Sequence, residues 1–374
     1  MKIETVIIIG GGLAGLTAAI HLSRIGVPVK LFEKEEYPHH KVCGEYVSRE
    51  ILPYFEQLDL SLSSLKPAEI SRLLYSTANG NPVEVPLPLG GLGLSRYAFD
   101  DYLFNMAVKN GVEVVQETVS SVEFLNDIFE IKTSEGKLDR AKIVLGAFGK
   151  RSVLDKNLNR PFFRKKTSWL AVKSHYKAAD FPDDLVALHN FEGGYCGLSQ
   201  TETGVVNVCY LATYNKFKEH KDPAVFNEKV LRKNPFLDNF LSEATPVFEN
   251  PLTIAQISFS RKETVKDHVL MLGDAAGLLH PLCGNGMAMA IHSAKIASET
   301  IIKYLEEPSI DRTNMEKEYI QKWDSNFKTR LRVGKILQKI LLNQNLAEVS
   351  QSMVSKMPFL LPQIIKRTHG NPIR

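Results

Sequence analysis

The chain has too little cysteine for a disulfide or zinc framework. Its 374 residues include four, Cys43, Cys196, Cys209 and Cys283, widely separated and with no CxxC pair. That excludes a cysteine-rich metal site and suits a reducing cytoplasm. It has no dominant charge either: a formal net charge of +4 is too mild for a nucleic-acid-binding protein. Low-complexity segments and internal repeats are absent. An uninterrupted hydrophobic run is missing too. The most apolar stretch, residues 6–22, falls short of the roughly twenty residues that span a bilayer. It is also broken by Gly10, Gly11, Gly12 and Gly15, each costing a helix interior about 1 kcal/mol relative to Ala. A signal peptide would need a basic leader, which Lys2 barely supplies, and a small-residue cleavage site. What the chain does have is balance. A hydrophobic content of 44% and a charged content of 24% describe a soluble globular protein with a sizeable core.

The interrupted stretch, IIIGGGLAGLTAAIHLSRIGVPVKLFEKE, reads as the start of a nucleotide-binding unit. Residues 6–9 form a buried parallel strand. Gly10 allows the tight turn, Gly12 leaves the backbone open to a phosphate, and Gly15 lets the next helix pack on the strand. That helix opens at Leu13 and Ala14, runs to about residue 25, and aims its free N–H groups and positive dipole end at a pyrophosphate. A second strand over 27–32 ends at Glu33, beside Lys34, about twenty residues on, where an acid binds a ribose hydroxyl. Strand, helix, strand and acid in register make a dinucleotide site.

Further along, a loop leads to a short helix near 49–57. SRLLYSTANGNPVEVPLP reads as two strands around a turn at Asn79-Gly80. RYAFDDYLFNMAVKNG reads as a helix with Phe99, Leu103 and Ala107 on one face, stopped by Gly111. Strands are expected at 112–115, 121–124, 128–133 and 143–146. Residues 169–258 are mainly strand-like, with one helical insert near 224–232. HVLMLGDAAGLLHPLCGNGMAMAIHSAKIASETIIKYL is a strand, a loop and a long helix, and the remainder is helical. Two distant strand–loop–helix units predict a discontinuous nucleotide domain with the β-rich segment inserted. From Asn326 onward there are nine basic residues and one acid, Glu348. This segment is therefore about +8 and the rest about −4. It is either a solvated helix face or a contact for an anionic membrane surface or an acidic partner such as a carrier protein. Pro358 and Pro362 limit any long helix there.

In VLMLGDAAGLLHPLCGNGMAMAI, Asp274 follows an apolar strand and can accept hydrogen bonds from a sugar-alcohol chain. Gly284 and Gly286 open a helix whose positive end would stabilise an anionic ring. With both motifs in place, the chain resembles the FAD-dependent class A monooxygenases together with the geranylgeranyl reductases. The resemblance implies an α/β, glutathione-reductase-like FAD-binding domain of Rossmann type, with an inserted β-sheet substrate domain and a helical C-terminus. It assigns Asp274 to the flavin ribityl chain and Pro281, Gly284, Gly286 and Met287 to the ring. Gly10, Gly12, Leu13, Ala14, Gly15, Glu33 and Lys34 go to the ADP half. Arg96 in LSRYAFD matches the family's Arg, and Val119 the backbone that meets adenine. KVCGEYVS is similar to the Cys-Gly-Glu loop of the archaeal reductases, which places Lys41 and Cys43 by the flavin. Beside them, His39 and His40 read as exposed loop histidines and Glu45 as the cap of the helix that follows.

Two departures are visible. GAFGKRSVLD has Phe148 where the monooxygenases carry an Asp, which predicts slow direct reduction by NADPH. GGYCGLSQ keeps Tyr195 but has Gly197 and Ser199 in place of the reductases' Trp and Phe. The Trp-x-Trp motif of flavin halogenases is absent; Trp169 and Trp323 stand alone. The domains expected are FAD-binding at 1–70, 96–160 and 262–305, substrate-binding at 71–95 and 161–261, and a helical segment at 306–374. The expected activity is FAD-dependent monooxygenation of an apolar, aromatic or polyketide-derived molecule. The alternatives are ene reduction of an isoprenoid and a catalytically silent flavin-binding partner. Candidate catalytic residues are Cys43, Tyr195 and His280. NAD(P)H is the expected donor, directly or through a separate reductase. No metal site and no nucleic acid are expected.

Overall fold

The computed structural model describes residues 5–79, 82–165, 167–357 and 359–374, so Gly80 of the Asn79-Gly80 turn lies outside the described residues. The chain begins β1 (Val6–Ile9), α1 (Leu13–Arg24), β2 (Val29–Glu33), β3 (Tyr46–Ser48), α2 (Leu52–Gln57), β4 (Ala68–Ser76), β5 (Pro82–Gly93) and α3 (Arg96–Lys109). Then come β6 (Glu113–Gln116), β7 (Val119–Leu125), β8 (Ile128–Thr133), β9 (Leu138–Ala141), β10 (Ile143–Gly146) and α4 (Val153–Asn157). The inserted segment holds β11 (Trp169–Lys177), β12 (Leu185–Phe191), β13 (Gly194–Gln200), β14 (Val206–Thr213), α5 (Tyr214–Lys218), α6 (Pro223–Lys229), α7 (Pro235–Glu243), β15 (Thr245–Pro246) and β16 (Leu252–Ala255). The chain then returns through β17 (Val265–Lys266), β18 (Val269–Met271) and α8 (Gly286–Glu306). It ends in α9 (Arg312–Leu342), α10 (Gln344–Lys356) and α11 (Leu360–Thr368).

β1 is apolar and buried at every position, as a central parallel strand covered on both faces must be. It pairs with β2 on one side and β10 on the other, and β18 adds beyond β10. The resulting six-stranded sheet has the order β17-β18-β10-β1-β2-β6. Both long helices of this layer, α1 and α8, pack together. Beside them, β7, β8 and β9 form a three-stranded sheet.

Between β10 and β18 the chain builds most of a nine-stranded sheet, completed by β3, β4 and β5. Its strands alternate cleanly. Leu170, Val172, Cys196, Leu198, Val208 and Tyr210 pack on Phe226, Leu231 and Leu237 from the helical excursion. The register Ala171–Leu211–Tyr195, Lys173–Cys209–Gly197 and His175–Asn207–Ser199 puts those residues on the opposite face, in three cross-strand rows. The single helical insert expected near 224–232 is corrected to three helices. Asp222 caps α6 ahead of Pro223, and Asn234 caps α7 ahead of Pro235. Each cap–proline pair starts a new helix and so divides the segment. α10 and α11 close over β5 through Val83, Val85, Val354 and Ile365. The tail is held by Glu50, which accepts from the Gly370 N–H at 2.5 Å through its carboxylate and from the Ile373 N–H at 2.8 Å through its carbonyl.

Candidate active site

The three motif glycines have different reasons to be glycine. Gly10 has φ +107°, and a Cβ there would collide with the Ala147 carbonyl. A Cβ on Gly15 would run into the Gly10 carbonyl oxygen. Gly12 is unlike both: the nearest atom to its Cβ position is Arg96 Nη2, 3.7 Å away. The fold requires the first two, and the third keeps a space open. Gly12 also caps α1 without a side chain, leaving the first-turn N–H groups of Leu13 and Ala14 available to an anion.

Around this end, Glu33 Oε2 accepts from the Gly11 N–H at 2.7 Å, and Oε1 from the Lys34 and Glu35 N–H groups. Lys34 contributes only that N–H. Its side chain is exposed and pairs with Glu35. Arg96 makes a two-pronged pair with buried Asp100, at 2.7 Å for both contacts, and Lys41 Nζ reaches the same carboxylate at 2.7 Å. Burial would raise the Asp100 carboxyl, but Arg96 and then Lys41 hold it below its ordinary value. Arg96 Nη2 is the group nearest the open position at Gly12. Val119 starts β7 and is buried.

At the other end, Gly273 (φ +52°) sits between Ala14 of α1 and Ala290 of α8. The starts of the two helices therefore flank one loop. α8 is capped by Asn285, whose side chain does not cap it but donates to Glu50 Oε2 at 3.1 Å. Gly286 has open space at its Cβ position, while Gly284 (φ +63°) lies against Tyr46. Pro281 begins a 3₁₀ turn, and Met287 is buried in the core. Lys262, buried, donates to the carbonyls of Asp274 at 2.6 Å and Lys150 at 2.8 Å, tying the two cofactor-side loops together. Burial lowers its pKa to about 8.

The Cys43 loop is clamped to the substrate sheet through its own carbonyls. Lys173 Nζ reaches Lys41 O at 3.2 Å, Asn207 Nδ2 reaches Cys43 O at 3.1 Å, and Ser199 Oγ reaches Gly44 O at 3.2 Å. Cys43 itself is half-buried. Burial pushes the Cys209 thiol up to about 12. Glu45 does not cap the helix that follows; Ser48 does. Glu45 is fully buried and accepts from Lys173 Nζ at 2.5 Å, His175 Nε2 at 2.7 Å and the Arg96 N–H at 2.8 Å, so it satisfies the first N–H of α3, whose N-cap is Ser95. Burial favours its neutral form, but His175 and Lys173 hold its pKa below the ordinary value. His40, Glu45 and His175 come close enough to offer ligands to one cation, but the Lys173 ammonium already compensates that carboxylate.

Tyr195 and His280 meet. The Tyr195 oxygen accepts from the Leu282 N–H at 3.0 Å and lies 3.2 Å from His280 Nδ1. Burial lowers the His280 pKa to about 3, so the ring is neutral. Phe259 stacks on it and Trp169 meets it edge-on. Its Nε2 is buried with no partner. Asp100, Lys173, His175 and Lys262 escaped the sequence reading. A lysine directly after the apolar run WLAV of β11 was the available signal for the second of these.

An open cradle at Gly12, two helix starts without side-chain caps and a paired Arg96 between them fit an FAD lying from the glycine loop to the second motif. The fold and the site define a flavoprotein with an inserted β-sheet. Residues 4–311 match the family model described as FAD binding domain. The chain belongs to that family and is an FAD-dependent oxidoreductase. It is 26% identical to digeranylgeranylglycerophospholipid reductase 2 of Methanopyrus kandleri over 365 residues, covering 93% of this chain and 90% of that one. It is 25% identical to the 1H-pyrrole-2-carbonyl-[peptidyl-carrier protein] chlorinase of Pseudomonas fluorescens, covering 83% and 78%. Among solved structures, the flavin-dependent brominase Bmp2 superposes with a TM-score of 0.79 at 19% identity, covering 99% of this chain and 94% of that one. This last likeness speaks for the fold alone.

Proposed function

We propose that the protein saturates a carbon–carbon double bond in an apolar, isoprenoid-like substrate. The observation that carries this reading is the Cys43 loop, whose carbonyls accept hydrogen bonds from three side chains of the nine-stranded sheet while its thiol stays half-buried. Once bound and reduced, FAD would supply the hydride for one alkene carbon. Cys43 gives its proton to the other carbon, and the thiolate left behind is reprotonated from water. The reductase names among the relatives that span most of both chains support it. NAD(P)H is the proposed source of electrons, through a separate reductase because Phe148 stands at the Asp position. Four free cysteines favour the cytoplasm, and no helix among the described residues is long and apolar enough to cross a membrane.

One observation favours monooxygenation as a second reading. The unpartnered His280 Nε2, set among Phe259, Trp169 and Tyr195, could orient an aromatic hydroxyl. Gly197 leaves room beside it, with only carbonyl oxygens at 3.8 and 4.0 Å from its Cβ position. The test is product mass spectrometry from two reactions, one anaerobic with chemically reduced flavin and one under labelled oxygen. Reduction gives a product heavier by two hydrogens without oxygen, with both added hydrogens exchangeable for deuterium in heavy water, and Cys43→Ser slows it. Incorporation of labelled oxygen, with Cys43→Ser unaffected, establishes the second reading.

A further inference from the structure

The C-terminal helices leave an apolar stripe that no other described residue covers. α10 is fixed to the sheet by one face: Ala347, Gln351 and Val354 are buried, Thr77 donates to Gln351 Oε1 at 2.8 Å, and Val354 packs on Val83 and Val85. The adjacent face carries Leu346, Val349 and Met353, at 49%, 65% and 57% exposure. Their spacing of three and four residues makes one stripe. Met357 and Phe359 extend the exposed apolar surface past the helix end. Cations are exposed on all three helices: Arg332, Lys335 and Lys339 on α9, Lys356 on α10, and Lys366 and Arg367 on α11. Beyond Asn326 the only acid is Glu348, and it is already engaged with Asn79.

Next to this surface, a cavity of about 590 Å³ lies between α11 and β5. Leu87, Pro88, Leu89 and Ile365 line it, and Tyr46 forms its wall toward Gly284. Its rim includes Lys366, one of the exposed cations.

We infer that α10 and α11 dock the protein on an anionic lipid bilayer. The apolar stripe enters the headgroup boundary, and the lysines and arginines meet the lipid phosphates. The cavity at the edge of this surface then lies within reach of an apolar chain leaving the bilayer. A second copy of the chain is a poorer occupant, because a two-fold contact would set one strongly basic segment against another. This inference concerns location and does not depend on which reaction the flavin site performs.

The test is flotation of the FAD-loaded protein with vesicles of phosphatidylcholine alone, or mixed with phosphatidylglycerol, at low and high salt. Binding is expected only to the mixed vesicles and should weaken as salt rises. The double variant Val349→Asp/Met353→Asp changes only exposed positions, so it should keep the flavin spectrum and melting temperature while binding at least tenfold more weakly. Lys356→Glu/Lys366→Glu should abolish the preference for phosphatidylglycerol. Equal binding to neutral vesicles, no binding to either, or unchanged binding by the Asp variant would overturn the proposal. So would light scattering that shows a dimer which the Asp variant splits, or capture of an acidic carrier protein without vesicle binding.

Discussion

The two ends of the cofactor site are built from different materials. The pyrophosphate end is made of backbone: Gly10, Gly12 and Gly15, a helix start, and Glu33 one strand away, all within the first βαβ unit. The ring and substrate end is made of side chains brought together from 41–45, 96–100, 173–175, 195 and 280. A backbone site needs particular residue types at fixed spacing. A side-chain site needs elements that the chain reaches far apart, and each buried charge in it must find a partner.

The sharpest test of this contrast lies within the glycine loop. Gly15→Ala should lose more than about 4 kcal/mol of stability, the range reserved for gross steric conflict, because its Cβ meets the Gly10 carbonyl. Gly12→Ala should keep apo stability within ~1 kcal/mol yet weaken FAD binding about 100-fold, or ~3 kcal/mol. Calorimetry and flavin titration separate the two. Equal losses of stability would erase the distinction between a fold glycine and a ligand glycine.

Acid should act on buried histidines spread through the molecule, of which His280 belongs to the second end. His21, His189, His292 and His369 are lowered to about 4, and His280 to about 3, each chiefly by burial. Their unfolded pKa lies near 6.5. The unfolded chain therefore binds more protons across that interval, and stability falls as pH drops from about 6.5 toward 4. The glycine loop holds no such group. Melting temperatures recorded from pH 7 to 4 should decline throughout; a flat profile would remove buried neutral histidines from the account.

Lys173→Met should cost about 3–5 kcal/mol by leaving Glu45 buried without its cation. The double variant with Glu45→Leu should recover at least half of that loss, measured by urea denaturation. Smallest of all, Asp274→Ala should weaken FAD binding by about 1.5–3 kcal/mol, while Lys34→Ala should leave FAD binding unchanged, since its side chain points to solvent.

Much of the first end was legible in the sequence. β1, α1, β2 and the acid at the strand end follow from residue type and period, and so, at the second end, do the Asp274 turn and the start of α8. Much of the second was not. Lys173 and His175 alternate with apolar neighbours on β11, a pattern that reads as one wet face. That face is covered instead by the cofactor domain, which a local pattern cannot report. Glu45 stands three residues before a short helix and reads as its cap, but α3, about fifty residues on, claims the carboxylate. The exposed stripe on α10 became visible only once Ala347, Gln351 and Val354 had fixed which face the sheet takes.

The pairing of α1 with α8 has a consequence for synthesis. Leu16, Ala19 and Ile20 of α1 are buried in the finished molecule, where α8 packs against α1. α8 follows α1 in the chain by about 260 residues, and β18, needed beside β10, emerges only shortly before it. At a ribosomal rate of roughly 5–20 residues per second, that interval is on the order of 10–50 s. During it, the nascent nucleotide unit has its glycine loop but not its covering helix. The inserted sheet, whose strands mostly pair with near neighbours, can form first. The N-terminal half is then the part most dependent on chaperones and most prone to aggregate when production outruns them.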